Sequence, residues 1–388
     1  MNSGPPADND PSPDAMHRPL SEAQDKPAGG DAQWLMHNTS QRLAHRQLVV
    51  RPDWLALGHE EIIEPGLAIV DAHHHLWNRD GIPYLLPELL ADIGTGHNIV
   101  ATVYMECKAM YRKDAPAAMQ PVGEVEFANG VAAMSASGEF GSSRVLAGIV
   151  GYADLSLGSA VREVLEAEIA AGGGRFRGVR NISAWHAIPE ARGSSASPPP
   201  DVLTRPSLRE GLRCLASMDL TFDAWMYHTQ LHELTALACE VPDATFILNH
   251  VGGALGIGPY AGKREEVFAE WSESIRSLAQ CPNVYVKLGG LGMRLFGFDV
   301  HEGALPPSSA QLATAWRPYI ETCIDAFGVE RAMFESNFPV DKGSCSYPAL
   351  WNAFKRICAG ASTSDKQALF SATAMRVYRL YTQSSRLP

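Results

Sequence analysis

Among the 388 residues no two cysteines form a Cys-x-x-Cys, and the Lys and Arg residues are scattered rather than clustered. Nor does any stretch reach the roughly 18 consecutive apolar residues that a membrane-spanning helix requires. Each absence excludes a class of function. The seven cysteines, Cys107, Cys214, Cys239, Cys281, Cys323, Cys345 and Cys358, are odd in number and far apart, which argues against a disulfide framework and against a thiolate zinc site. They read as reduced, mostly buried thiols. Cys345, in a polar loop after a predicted strand, could be a nucleophile, but nothing nearby in sequence would activate it. A formal net charge of −11 without a basic patch leaves no electrostatic footprint for nucleic acid or an anionic membrane. The N-terminus lacks a basic start followed by an apolar region. A cytoplasmic location with small-molecule partners is the expectation.

With 46% apolar residues the chain can bury a large core. Residues 1–47 are expected to be a disordered or extended segment, because the stretch to about Asp31 is Pro, Asp, Gly, Ser and Ala with almost nothing bulky to repay its ordering entropy. Residues 48–388 are expected to form one catalytic domain. Within it, eight short apolar runs alternate with longer helical stretches: Leu67–His73, Ile99–Glu106, Arg144–Val150, Phe176–Asn181, Leu220–Met226, Thr245–His250, Asn283–Leu288 and Arg331–Ser336. Eight β/α alternations with parallel strands predict an α/β fold, the (β/α)8 TIM barrel. Helical periodicity in Ala160–Ala171, Leu231–Cys239 and Lys263–Ala279 supplies crossover helices. The stretches Ala109–Gly141 and Ala187–Pro206 interrupt the alternation and are expected on the catalytic face as substrate lids.

The first run ends Asp71-Ala72-His73-His74-His75. Strand alternation sends His73 and His75 to one side and His74 to the other, so the outer pair can converge on one ion or one substrate oxygen. Arg180 closes the fourth run, where a guanidinium could clamp a carboxylate bidentately or simply form a structural ion pair. Lys287 interrupts the seventh, and a cation inside a barrel is costly unless paired or used. By alternation Arg177 and Arg175 face outward into solvent. Trp77 and Tyr111 join Arg180 and Lys287 as candidate substrate-binding residues, and Trp185, Trp225 and Phe338 could add aromatic walls or be core. The stretch Gly252–Gly258 lacks both Walker and dinucleotide spacing and reads as a tight loop.

Taken in order, VDAHHHLW, GVRNISAWH, FILNHVGG, NVYVKLGGL and MFESNFPVD resemble the amidohydrolase-2 group, specifically its lactonase-like branch, from about Glu64 to Leu380. The resemblance implies that His73 and His75 are the first-strand pair and His250 the sixth-strand histidine, with His228 at the fifth-strand position. These four would be both catalytic and metal-ligating. The group's eighth strand typically ends in Gly-Ser-Asp-Trp-Pro, whose Asp is the general base; here the residues are Glu335-Ser336-Asn337-Phe338-Pro339. Asn337 cannot accept a proton at neutral pH, so it would orient rather than act as base. Glu335, Asp341 and Glu106 could supply the basicity, with Glu106 ranked first because it closes an apolar strand, and a salt bridge to Arg180 or Lys287 as its alternative role.

One divalent metal, zinc, would suit the histidines, yet the branch also contains members that open lactones without metal. The expected activity is hydrolysis of a lactone of a sugar acid or aromatic-degradation intermediate. Metal-dependent non-oxidative decarboxylation of an aromatic or unsaturated acid is the alternative, and a catalytically silent ligand-binding barrel the third reading. A homodimer would be ordinary for a barrel of this size.

Overall fold

The computed structural model describes residues 47–380 except 80, 194, 195 and 197, so the expectation for the first 46 residues lies outside the described part. Eight parallel strands form one sheet: β1 (Ala68–His74), β2 (Asn98–Met105), β3 (Arg144–Gly151), β4 (Phe176–Ile182), β5 (Thr221–Trp225), β6 (Thr245–Leu248), β7 (Val284–Leu288) and β8 (Ala332–Phe334). They pair in sequence order, and each expected run overlaps one of them, with ends that differ by at most a few residues. A helix follows each strand: α1 (Leu86–Ile93), α2 (Val122–Ala136), α3 (Val161–Ala171), α4 (Pro206–Ser217), α5 (Leu231–Glu240), α6 (Arg264–Leu278), α7 (Ser309–Phe327) and α8 (Tyr347–Ile357). This is a TIM barrel, and no helix among the described residues is long and apolar enough to cross a membrane.

The second half of the first expected lid is mostly the crossover helix α2. Its Ala, Gly and Ser content gives little amphipathic pattern, and it is fixed instead by burying Val122, Val125, Ala128, Val131 and Ala132 against the barrel. The described residues of the second expected lid form two short 3-10 turns, Pro189–Ala191 and Val202–Thr204, before α4 begins.

Two apolar layers result. Ile69, Tyr104, Ile149, Val179, Phe222, Phe246, Val286 and Phe334 face the helices, while Val70, Ala72, Ala101, Val103, Met105, Val150, Ile247 and Met333 fill the barrel interior. Ala374, Val377, Tyr378 and Leu380 join the interior layer and close the end away from the strand C-termini. Simple alternation would then place His73 and His75 on the helix side, with Ile69 and Asp71. A register shift between Asp71 and His74 against β2 re-aims them: His74 pairs with outward Tyr104, and its neighbours turn inward. A second shift, between Ile149 and Val150 against Phe176 and Gly178, does the same for Arg177. Contrary to the solvated position expected for it, Arg177 is half-buried and its stem lies beside Gly148, which also neighbours Leu380 and Val103. The cysteines are free as expected, but the fold brings two of them together, with Cys239 Sγ 3.4 Å from Cys281 Sγ.

The barrel closes where β8 meets β1. Asn337 N donates to His73 O (2.9 Å) and His75 N to Phe338 O (2.8 Å). Beside this seam Asp71 is fully buried and accepts from Ser336 N (2.8 Å), Ser336 Oγ (2.6 Å) and Tyr347 OH (3.0 Å), tying both strand ends to the start of α8. Burial raises its pKa to about 6, against the lowering effect of those hydrogen bonds.

Asp71→Ala would take the acceptor from four buried donors, the three above and His73 N at 3.3 Å, and we expect it to cost about 3 kcal/mol in urea unfolding. Because the folded pKa lies above the ordinary carboxyl value, this group's contribution is complete at low pH and is lost as pH rises through about 6. The cost should therefore be larger at pH 5 than at pH 8; a cost under about 1 kcal/mol at both would remove Asp71 from the seam's energetics.

Candidate active site

At the C-terminal mouth β1 contributes His73, β4 Arg180, β5 Asp223 and β7 Lys287, and the segments leaving β1, β2, β6 and β8 contribute His75, Glu106, His250 and Glu335. All are at least 96% buried, so each charge needs a local answer. Lys287 Nζ lies 2.8 Å from Asp223 Oδ1, which also accepts from Tyr378 OH (2.8 Å) and Asn249 Nδ2 (3.0 Å). Arg180 Nε lies 2.9 Å from Glu106 Oε1, and its Nη2 donates to the Glu106 carbonyl. These two pairs balance four charges. Glu335 is left without a cation of its own.

Glu335 stands between two imidazoles. Its Oε1 is 2.7 Å from His250 Nδ1 and accepts from His250 N at 3.1 Å, while Oε2 lies 2.9 Å from His73 Nδ1 but out of line for a hydrogen bond and has no other partner. On the other edge of the His73 ring, Nε2 is 3.2 Å from His75 Nε2 and 3.3 Å from Arg180 Nη1. His75 Nδ1 is 2.9 Å from the Met105 carbonyl, which fixes its proton on Nδ1 and leaves Nε2 as a lone pair. Burial, reinforced by Lys287 at His73 and Arg180 at His75, holds both well below the usual histidine range. Burial also lowers His250, against the opposing charge of Glu335. The three rings are neutral bases and ligands at neutral pH.

The backbone under His250 is unusual. His250 and Val251 have φ of 53° and 48°, which is costly for a β-branched residue. Gly290, at φ +69°, lies directly against the imidazole, where any Cβ would overlap the ring.

The expected site residues are thus partly assembled. His73, His75, His250, Arg180, Lys287 and Glu106 share one chain of contacts, and Trp77 stacks on His75 with ring centroids 5.6 Å apart while Arg79 lies 3.9 Å over the indole. His228 stands apart from that chain: Leu255 N donates to its Nδ1 (3.3 Å), its ring meets Tyr260, and its buried Nε2 has no partner. Burial takes its pKa down to about 4. Glu106 adopts its alternative role as the Arg180 ion pair, with Oε2 buried and unpartnered; the Tyr111 hydroxyl is likewise buried without a partner. Asn337 donates to Asp341 Oδ1 at 2.8 Å, and burial takes Asp341 up to about 8, so this acid is largely protonated at neutral pH and makes a poor base. Cys345 is fully buried with its thiol pushed up, contrary to a nucleophile's needs.

Asp223 and Tyr378 went unnoticed in the sequence. Asp223 carried a readable signal, since it sits mid-strand in Thr-Phe-Asp-Ala-Trp on the inward parity. Tyr378 is 155 residues from its partner and carried none.

A divalent ion fits this donor set. His73, His250 and Glu335 each offer a ligand atom, all within 4.8 Å of one another. The imidazoles are neutral, and among Glu106, Asp223 and Glu335 only Glu335 lacks a Lys or Arg partner and has an oxygen without a hydrogen bond opposite His73. Imidazole with carboxylate is a donor set that suits zinc. Neither His75 nor His228 belongs to this group, which Glu335 completes.

Comparison with known proteins bears on this geometry. An uncharacterized protein of Sinorhizobium fredii is 33% identical over 336 residues, spanning 81% of this chain and 99% of that one. An L-fucono-1,5-lactonase of Burkholderia multivorans is 24% identical over 330 residues, spanning 81% and 97%. Among solved structures, an amidohydrolase from Burkholderia multivorans with bound zinc superposes with a TM-score of 0.63 at 22% identity, covering 81% of this chain and all of its own. The amidohydrolase family model matches residues 70–380, and the chain belongs to that family.

Proposed function

We propose that this protein hydrolyses a lactone, with a sugar-acid or aromatic-derived ring as substrate. The observation that carries the reading is the Glu335 carboxylate set between His73 and His250 in a buried mouth that also holds a guanidinium and an ammonium. The similarity to lactonases supports it.

Each group has a task that its surroundings permit. His250 donates its Nδ1 proton to Glu335, so Nε2 is free to take a proton from water, and the carboxylate stabilises the imidazolium that results. Arg180, held by Glu106, places Nη1 beside the His73–His75 edge, where it can donate to a carbonyl oxygen as negative charge develops there. Lys287, fixed by Asp223 and 3.5 Å from His73 Nδ1, adds positive potential to the same spot. Trp77 and Tyr111 supply an aromatic wall and a buried hydroxyl for the ring. Bound zinc, held by His73, His250 and Glu335, would supply Lewis-acid polarisation and a lower pKa for water in place of that proton transfer, since a ligating His250 would no longer be the base.

Two measurements test this. Elemental analysis of the purified protein should give about one zinc or manganese per chain, lost in His73→Ala and His250→Ala. Less than about a tenth of an equivalent after growth with added metal would leave only hydrolysis by the side chains themselves. In a pH-stat assay over sugar and aromatic lactones, Glu335→Gln should lower kcat by about 100-fold with KM changed less than about threefold. Release of CO2 from an aromatic acid, with no acid produced from any lactone, would replace hydrolysis by decarboxylation.

A further inference from the structure

The end of the barrel opposite the active site gathers positive charge in a chain whose net charge is −11. Arg144 opens β3, Arg175 immediately precedes β4, Arg177 lies in β4, and Arg379 comes from the segment that plugs the barrel. Their partners are mostly uncharged. Arg144 Nη1 donates to the Leu380 carbonyl (2.7 Å), Arg175 Nη1 to Asn129 Oδ1 (2.7 Å), and Arg177 Nη1 to the carbonyls of Gly174 (2.8 Å) and Phe176 (2.9 Å). Among the described residues none of these three forms an ion pair with a carboxylate, and the buried Nε of Arg177 has no partner. Arg379 reaches Asp219 at 3.2 Å, but that side chain is 85% exposed and screens little. Burial, with the charges of Arg379, Arg144 and Arg175, brings Arg177 down to about 10. Clustered like charges that no acid offsets are costly, and a bound anion is the ordinary way to lower that cost.

A place for the anion exists. A cavity of about 360 Å³ opens beside the cluster, lined by Arg144, Arg175, Ser135, Ser142, Ser143 and Gly141 among others. We propose that this cavity is an anion site, distinct from the active site, for a small dianionic oxyanion: phosphate or the phosphate group of an ester. Arg144 and Arg175 grip the oxygens with their free guanidinium N–H groups, and Ser142 adds a hydroxyl. Arg177 and Arg379 stand behind them and supply potential rather than contact. The volume exceeds that of bare phosphate and leaves room for a small organic group. The length of β3, about 25 Å for eight residues of extended chain, separates this pocket from the catalytic mouth, so both can be occupied at once.

Titration calorimetry with inorganic phosphate, at constant ionic strength set by chloride, tests the site in the full chain. Saturable binding is expected, weakened at least about tenfold in Arg144→Gln/Arg175→Gln and less than about twofold in Arg180→Gln, which alters the catalytic mouth instead. If the double variant does not fold, either single substitution is read in the same way. No saturable binding to the native protein up to about 20 mM phosphate would overturn the proposal. So would binding that survives in the double variant and disappears in Arg180→Gln, because the anion would then sit among the catalytic residues.

Discussion

A barrel holds its active site only if the last strand is pinned to the first, and here that junction rests on one buried carboxylate. Asp71 takes three hydrogen bonds from Ser336 and Tyr347 on the helix side of β1. On the other side of the same strand the register shift turns His73 and His75 inward. The seam and the site are therefore consecutive residues of one strand. With Ser336 fixed on the outer parity, Glu335 must point inward, which sets its carboxylate between His73 and His250. Closure of the fold and assembly of the site are one geometric event.

Charge balance explains why so many ionisable groups survive in this interior. Lys287 is tolerable because Asp223 meets it, and Asp223 is held by Asn249 and by Tyr378 from the C-terminal segment. Arg180 is tolerable because Glu106 meets it. Removing one member of either pair would leave an uncompensated buried charge, a larger penalty than the pair's own net worth. Such constraints leave both cations fixed in place before any substrate arrives, the condition under which electrostatic stabilisation of a transition state is most effective.

The eight strands and the position of the first-strand histidines were legible because they depend on local pattern: apolar runs of strand length at regular intervals, and an His-x-His at the end of one. What was not legible depends on register or distance. Alternation alone places His73 on the wrong face, and a one-residue bulge that no propensity marks corrects it. The same blindness put Arg177 in solvent. The stretch Ala109–Gly141 reads as one long excursion because the helix within it, α2, is buried through small residues without a clear stripe. A place at a strand end favours Glu106 over Glu335 in the sequence, but Arg180, 74 residues away, pairs with Glu106.

Asn337 is the sharpest departure from the motif its family resemblance suggests, and the structure shows how the departure is accommodated. An amide at that position cannot carry charge, and it turns to Asp341, which is itself largely protonated at neutral pH. The acid that faces the histidines is two residues earlier. Two residues is one full strand period, so Glu335 keeps the inward parity, and its longer side chain offsets part of the extra depth. A carboxylate on that parity orients the His250 ring through Nδ1 and lies 2.9 Å from His73 Nδ1, whereas one at the strand end would meet water directly. The exchange moves the negative charge from the water side of the histidines to their far side. On the proposed mechanism, an imidazole backed by Glu335 becomes the group that meets the nucleophile.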